Sequence, residues 1–213
     1  MNKAKVETII DKGQIAFIVD DDEAVRDSMS MLLETVDLPH QCFSSATEFF
    51  EQYDSSQKGC LILDISMPGM SGLELQEKLK EANSLLPIIF ITGHGDIPMA
   101  VEAMRQGAID FMRKPFQEEN LIGRIQQAFD CEADDRSVRD IRQKVVEKLA
   151  LLSAREKQVF LLVAEGQANK SIAYDLDISE RTVEVHRSQV MRKLEVRTLA
   201  QLVRIKIDSE KPS

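Results

Sequence analysis

Short apolar runs recur through the first part of this chain, at residues 15–20, 40–43, 60–64, 88–92 and 110–112. Runs such as Ile15-Ala16-Phe17-Ile18-Val19 and Pro87-Ile88-Ile89-Phe90-Ile91 do not alternate apolar with polar residues. A strand with one wet face alternates, whereas a strand covered on both faces does not. Between the runs, apolar residues return every three or four positions, as in Val25, Met29, Leu32, Leu33 and Val36, and later Leu121, Ile125 and Ala128. That spacing makes one face of a helix. Strands alternating with helices predict parallel βαβ units. Residues 14–130 are therefore expected to form a doubly wound α/β domain, with a five-stranded parallel sheet and helices on both faces.

Residues 149–213 lack such runs and carry helix signals instead. Ser153-Ala154-Arg155-Glu156 reads as a capping box before the stripe Val159, Leu162 and Val163. Gly166 is placed to stop that helix. Asn169 is expected to cap a second helix, with Ile172, Ala173 and Leu176 inward. Ser179 caps a third, with Val183, Val190 and Leu194, and Thr198 opens a fourth, with Leu199, Leu202 and Val203. Residues 149–208 thus predict a small all-α domain of four helices. Residues 131–148 form a charged linker in which Val138, Ile141, Val145, Leu149 and Leu152 keep helical spacing. That stripe can dock on its own protein or pair with a second subunit.

The net charge is −9. Residues 1–130 hold 11 basic and 22 acidic side chains, while residues 149–213 hold 11 basic and 9 acidic. A phosphate-bearing partner therefore belongs with the last segment. No apolar run approaches the about 18 residues that span a bilayer. In residues 1–13 the only adjacent apolar pair is Ile9-Ile10, too little for a signal-peptide core, so a cytoplasmic location with no membrane partner is expected. Cys42, Cys60 and Cys131 form no metal-ligand or CxxC spacing and read as reduced thiols.

In open α/β sheets the chemistry sits at the carboxyl ends of the strands. The first run ends in Asp20-Asp21-Asp22, the third in Asp64 and the fourth in Thr92, and the fifth leads into Lys114-Pro115. If those strands are neighbours, the groups converge. Close carboxylates repel, and a hard divalent cation with oxygen ligands relieves them. A carboxylate beside Mg²⁺ can accept a phosphoryl group, with a lysine and a threonine hydroxyl on the transferring oxygens. Asp22 is read as a cap or surface residue rather than a ligand. His40 reads as a surface residue and His94 as a loop residue near Thr92.

The pattern Val19-Asp20-Asp21, Asp64 with Met67-Pro68-Gly69 and Ser71-Gly72, Thr92-Gly93, and Lys114-Pro115-Phe116 resembles the receiver domain of two-component response regulators, the CheY-like fold. The resemblance covers roughly residues 14–130. It implies that Asp64 is the phosphoacceptor, and that Asp20, Asp21, Asp64 and the backbone carbonyl of Ser66 hold Mg²⁺ or Mn²⁺. It implies that Thr92 and Lys114 contact the phosphoryl group, across what is usually a cis bond to Pro115. Phe111 takes the switch-aromatic position, where many relatives carry Tyr, so a phenol hydrogen bond cannot serve this switch.

Asn169 to Leu194 spans two helices joined by Asp177-Ile178-Ser179, the spacing of a helix-turn-helix whose second helix enters the major groove. Arg181, Arg187, Arg192 and Lys193 on that second helix suit phosphate contacts. Generic helix pairs share the spacing. Leu152-Ser153-x-Arg155-Glu156, Asn169-Lys170-x-Ile172-Ala173, Ile178-Ser179, Thr182-Val183-x-Val185-His186 and Lys193-Leu194 resemble the LuxR-type domain. The whole chain resembles FixJ/NarL-family response regulators, of the FixJ type. That implies DNA contacts from Lys170, Arg181, Thr182, Val185, Arg187 and Lys193. Relatives of the NarL type carry basic residues where this chain has Glu184 and Ser188; Glu184 can accept from a cytosine amino group but repels phosphate. His186 is read as a packing or hydrogen-bonding residue of the domain.

The resemblance implies a DNA-binding transcriptional regulator, an activator, and not a turnover enzyme. Its partners would be a sensor histidine kinase, promoter DNA, RNA polymerase and a second copy of itself after phosphorylation. The expected dimer face is helix four, near residues 99–106, with strand five. Two other readings are a phosphorylation-independent DNA binder and a phosphohydrolase working through an aspartyl-phosphate.

Overall fold

The computed structural model of the protein describes residues 13–93 and 97–210. Its contacts divide the chain into two compact units, Met1–Arg136 and Ser137–Ser213. In the first, β1 (Gln14–Val19), β2 (His40–Phe43), β3 (Lys58–Asp64), β4 (Ile88–Thr92) and β5 (Asp110–Arg113) form one parallel sheet in the order β2-β1-β3-β4-β5. The helices are α1 (Glu23–Thr35), α2 (Ala46–Gln52), α3 (Gly72–Glu81), α4 (Ile97–Arg105) and α5 (Glu118–Ala150). His94 lies outside the described residues.

The unbroken apolar runs are explained by two separate cores. On one face, Phe17, Val19, Leu61, Leu63, Ile88 and Phe90 pack with residues of α2, α3 and α4, including Phe49, Leu75 and Ala103. On the other, Ala16, Ile18, Cys60, Ile62, Ile89 and Ile91 meet α1 and α5 through Met29, Leu33, Leu121, Ile125 and Phe129. Successive residues of one strand thus feed opposite cores, and each must be apolar. Phe17, Phe43, Phe49 and Tyr53 add edge-on and stacked ring contacts under α2.

The second unit holds α6 (Ala154–Ala164), α7 (Asn169–Leu176), α8 (Glu180–Lys193) and α9 (Leu199–Glu210) around Val159, Phe160, Val163, Ile172, Val183, Val190, Leu194 and Leu202. The capping box of Ser153 and Glu156 is formed, Gly166 leaves α6 at φ +85°, and Ser179 caps α8 through the Thr182 N–H. Asn169 departs from the expectation. The N-cap of α7 is Ala168, with no side-chain bond; Asn169 is the first helical residue, and its side-chain Oδ1 accepts from Arg187 of α8 at 3.0 Å. The linker is helical, as its spacing predicts, and residues 131–148 continue α5 without a break. Val145 and Leu152 of the expected stripe are buried, while Val138 and Ile141 are exposed. Leu199 is also exposed, since it begins α9 and only the next turn reaches the core at Leu202.

Candidate functional site

Register places the strand ends side by side. Val19 pairs with Leu63 and Asp64 with Ile91, so Asp20 and Asp64 leave neighbouring strands at one level. The ladder from β4 continues past β5, because the Lys114 N–H donates to the Thr92 carbonyl at 2.8 Å. Lys114 follows β5 and is joined to Pro115 by a cis peptide. Its ammonium lies 2.5 Å from Asp20 Oδ2 and 3.0 Å from Asp64 Oδ1.

Both carboxylates are buried. Asp20 is 1% exposed and Asp64 7%. Their remaining oxygens accept backbone donors: Asp20 Oδ1 from the Asp22 N–H at 3.0 Å and Asp64 Oδ2 from the Ser66 N–H at 2.7 Å. Arg26 donates to the Asp20 carbonyl at 2.7 Å. Asp22 serves as the α1 cap, accepting from the Ala24 N–H at 2.9 Å. Burial pushes the Asp64 carboxyl above its ordinary range, although Lys114 pulls the other way. Burial alone would lower the Lys114 ammonium, but Asp20 and Asp64 outweigh it and raise it. Lysine thus stays charged and carboxylate stays costly, which suits a pocket that accepts a phosphoryl group.

Thr92 is buried at the end of β4, and Phe111 of β5 is partly buried against the α2–α4 core. Asp21 is exposed and makes no hydrogen bond or ion pair among the described residues. Among those residues no three acidic, histidine or cysteine side chains already stand as a metal-holding group. The donor chemistry still fits a hard cation. Asp20, Asp64 and the Ser66 carbonyl supply only oxygen, and the Lys114 charge does not fill the lone pairs of two carboxylates.

On α8, Arg181, Glu184, Val185, Ser188 and Arg192 are exposed, opposite the buried Val183 and Val190. Lys170 of α7 is exposed as well. Thr182 is half-buried, and its hydroxyl lies 2.8 Å from that of Ser179. His186 is half-buried. Two of the expected contacts are engaged within the unit. The Lys193 ammonium donates to Glu156 at 2.7 Å and to the Leu151 carbonyl at 3.1 Å. Arg187 reaches Asn169. Sequence reasoning had no signal for either pairing, because the partners lie 37 and 18 residues away. It also passed over Tyr174, which α7 leaves 87% exposed.

Comparison with known proteins bears on both units. Residues 16–126 match the response regulator receiver domain, and residues 150–206 match the bacterial regulatory proteins of the luxR family. The response regulator protein TodT of Pseudomonas putida is 47% identical over 195 residues, 92% of this chain and 86% of that protein. The transcriptional regulatory protein FixJ of Rhizobium meliloti is 46% identical over 192 residues, 88% of this chain and 92% of FixJ. Among solved structures, the response regulator StyR superposes with a TM-score of 0.82 at 44% identity, covering 92% of this chain and 98% of that one.

Proposed function

The chain belongs to the response regulators that join a receiver domain to a LuxR-type DNA-binding domain, and from that premise we propose that phosphorylation of Asp64 switches its grip on DNA. The observation that carries this reading is the Lys114 ammonium seated between Asp20 and Asp64 at the carboxyl ends of the sheet.

Asp64 attacks the phosphorus of a phosphohistidine on a sensor kinase. Its carboxylate oxygen forms the new bond, the phosphorus–nitrogen bond breaks, and the imidazole leaves with the electron pair. Lys114 moves its charge onto the transferred group, and the Thr92 hydroxyl donates to a phosphoryl oxygen. Asp20, Asp21, Asp64 and the Ser66 carbonyl would hold Mg²⁺ or Mn²⁺. The ion, when bound, supplies charge neutralisation among the carboxylate and phosphoryl oxygens. Because Phe111 has no hydroxyl, it answers the loss of Thr92 from its resting place by packing alone.

Helix α4 carries the output. Its exposed Ile97, Val101 and Met104 recur on one face, while Met99 packs into the core and is no part of that face. Phosphorylation makes this face and β5 a surface for a second copy. Two α8 helices then meet two half-sites, and affinity rises without new contacts per subunit. Lys170, Arg181, Thr182 and Val185 approach the DNA; Lys193, held by Glu156, takes a structural role. The protein activates transcription in the cytoplasm with RNA polymerase as partner and turns over no substrate.

The test is intact-mass measurement after treatment with acetyl phosphate and Mg²⁺. Wild type gains one phosphoryl group and retains promoter DNA; Asp64→Asn gains none and does not. Phosphorylation of Asp64→Asn to the wild-type extent would move the acceptor elsewhere.

A further inference from the structure

We infer that Arg187 and Asn169 form a strut that sets the angle of α8 against α7, so Arg187 acts on DNA recognition as a positioning residue, not as a contact. The inference rests on the DNA-binding reading of the helix-turn-helix and deepens it.

Arg187 stands on α8, four residues past the buried Val183, and is half-buried. Its guanidinium donates to Asn169 Oδ1 at 3.0 Å, across the turn that separates the two helices. Asn169 is the first residue of α7, and asparagine in that region ordinarily serves the helix's own free N–H groups. Here it does not. Ala168 sits at the cap position with no side-chain bond, and the Asn169 side chain, one residue inside the helix, is given to α8.

The two helices otherwise meet through short apolar side chains, among them Ile172, Ala173 and Val183. Such contacts are not directional and tolerate sliding. A hydrogen bond from a planar cation constrains both distance and direction. A small error in the angle of α8 moves its far end out of register with the base edges. The side chains free to read bases or phosphates are the exposed Arg181, Glu184, Val185 and Ser188 on another face of α8.

The experiment is a double-mutant cycle on the full-length protein treated with acetyl phosphate and Mg²⁺. The probes are a duplex enriched from random-sequence DNA by the wild type and a scrambled duplex of equal length. A strut predicts that Arg187→Ala and Asn169→Ala each weaken the enriched duplex about tenfold, the scale of one charge-assisted bond. The double variant should be no worse than either single one. The scrambled duplex should bind nearly as before, and the slope of log affinity against log salt should not change. A phosphate contact by Arg187 predicts instead that the slope falls by about 1 and both duplexes suffer alike. A base contact predicts relaxed preference at one base pair and a silent Asn169→Ala. Either of those results overturns the strut. Circular dichroism of each variant separates loss of folding from loss of angle; wild-type helix content with normal enrichment would also overturn it. Failure of the wild type to enrich any duplex would overturn the DNA-binding reading, and the strut with it.

Discussion

Burial pushes the Asp64 carboxyl above its ordinary range even with Lys114 3.0 Å away, and Asp20 adds to the rise. A carboxyl whose folded pKa is raised binds its proton more tightly when folded. Stability is therefore lost as pH rises through the ordinary carboxylate range to that raised value. Asp64→Asn should accordingly stabilise the receiver at pH 7 in the absence of divalent cations. Urea midpoints of wild type and variant should converge in acid; equal midpoints at neutral pH would refute the cost. Glu156 behaves in the opposite sense. The Lys193 ammonium first, then the Ser153 N–H, hold its carboxyl down to about 2 from an ordinary 4.5. Its contribution is present above the ordinary value and is lost as pH falls from there towards 2. Acid titration by circular dichroism should show Glu156→Gln less stable at neutral pH and flatter across that window.

The approach of α3 to the end of β3 depends on Gly72. A Cβ there would sit 2.4 Å from the Asp64 carbonyl oxygen and 3.1 Å from the Phe90 ring. Backbone cannot yield as a side-chain tip can. Gly72→Ala should destabilise the receiver by roughly 1–3 kcal/mol and slow phosphorylation of Asp64, because relief comes by moving the strand end. Unchanged phosphorylation kinetics would show that the strand end does not move. In the second unit, α7 has an alanine at its cap. Ala168→Ser should raise the stability of that unit by about 1 kcal/mol, measured by thermal melting. No gain would mean that water already satisfies those N–H groups.

Helix α4 leaves Ile97 81%, Val101 43% and Met104 46% exposed on one face of a chain whose other large apolar groups mostly reach a core. Apolar surface of that kind at helical spacing suits the proposed contact with a second copy. Val101→Glu should leave phosphorylation intact and abolish the proposed phosphorylation-dependent dimer, read by sedimentation velocity; a dimer of wild-type strength would place the contact elsewhere. The charge asymmetry has its counterpart here. The acidic excess lies in residues 1–130, and the basic side chains of α7 and α8 lie in the unit that meets phosphate. Keeping opposite tendencies in separate units lets one chain bind DNA at a net charge of −9.

The linear order of residues determined the receiver almost entirely. Strand burial on two faces leaves an unbroken apolar run, helices leave a spaced stripe, and strand-end acids fall beside one another once strand order follows. Ser153, Gly166 and Ser179 were legible for the same reason, since each acts within one turn of itself. What only the tertiary structure decided are partnerships across elements: Asn169 with Arg187, Lys193 with Glu156, and Ile97 rather than Met99 on the open face of α4. Those depend on the angle and rotation at which two helices meet. Many apolar pairings satisfy the same periodicity, and a polar side chain takes whichever partner the final packing brings within 3 Å.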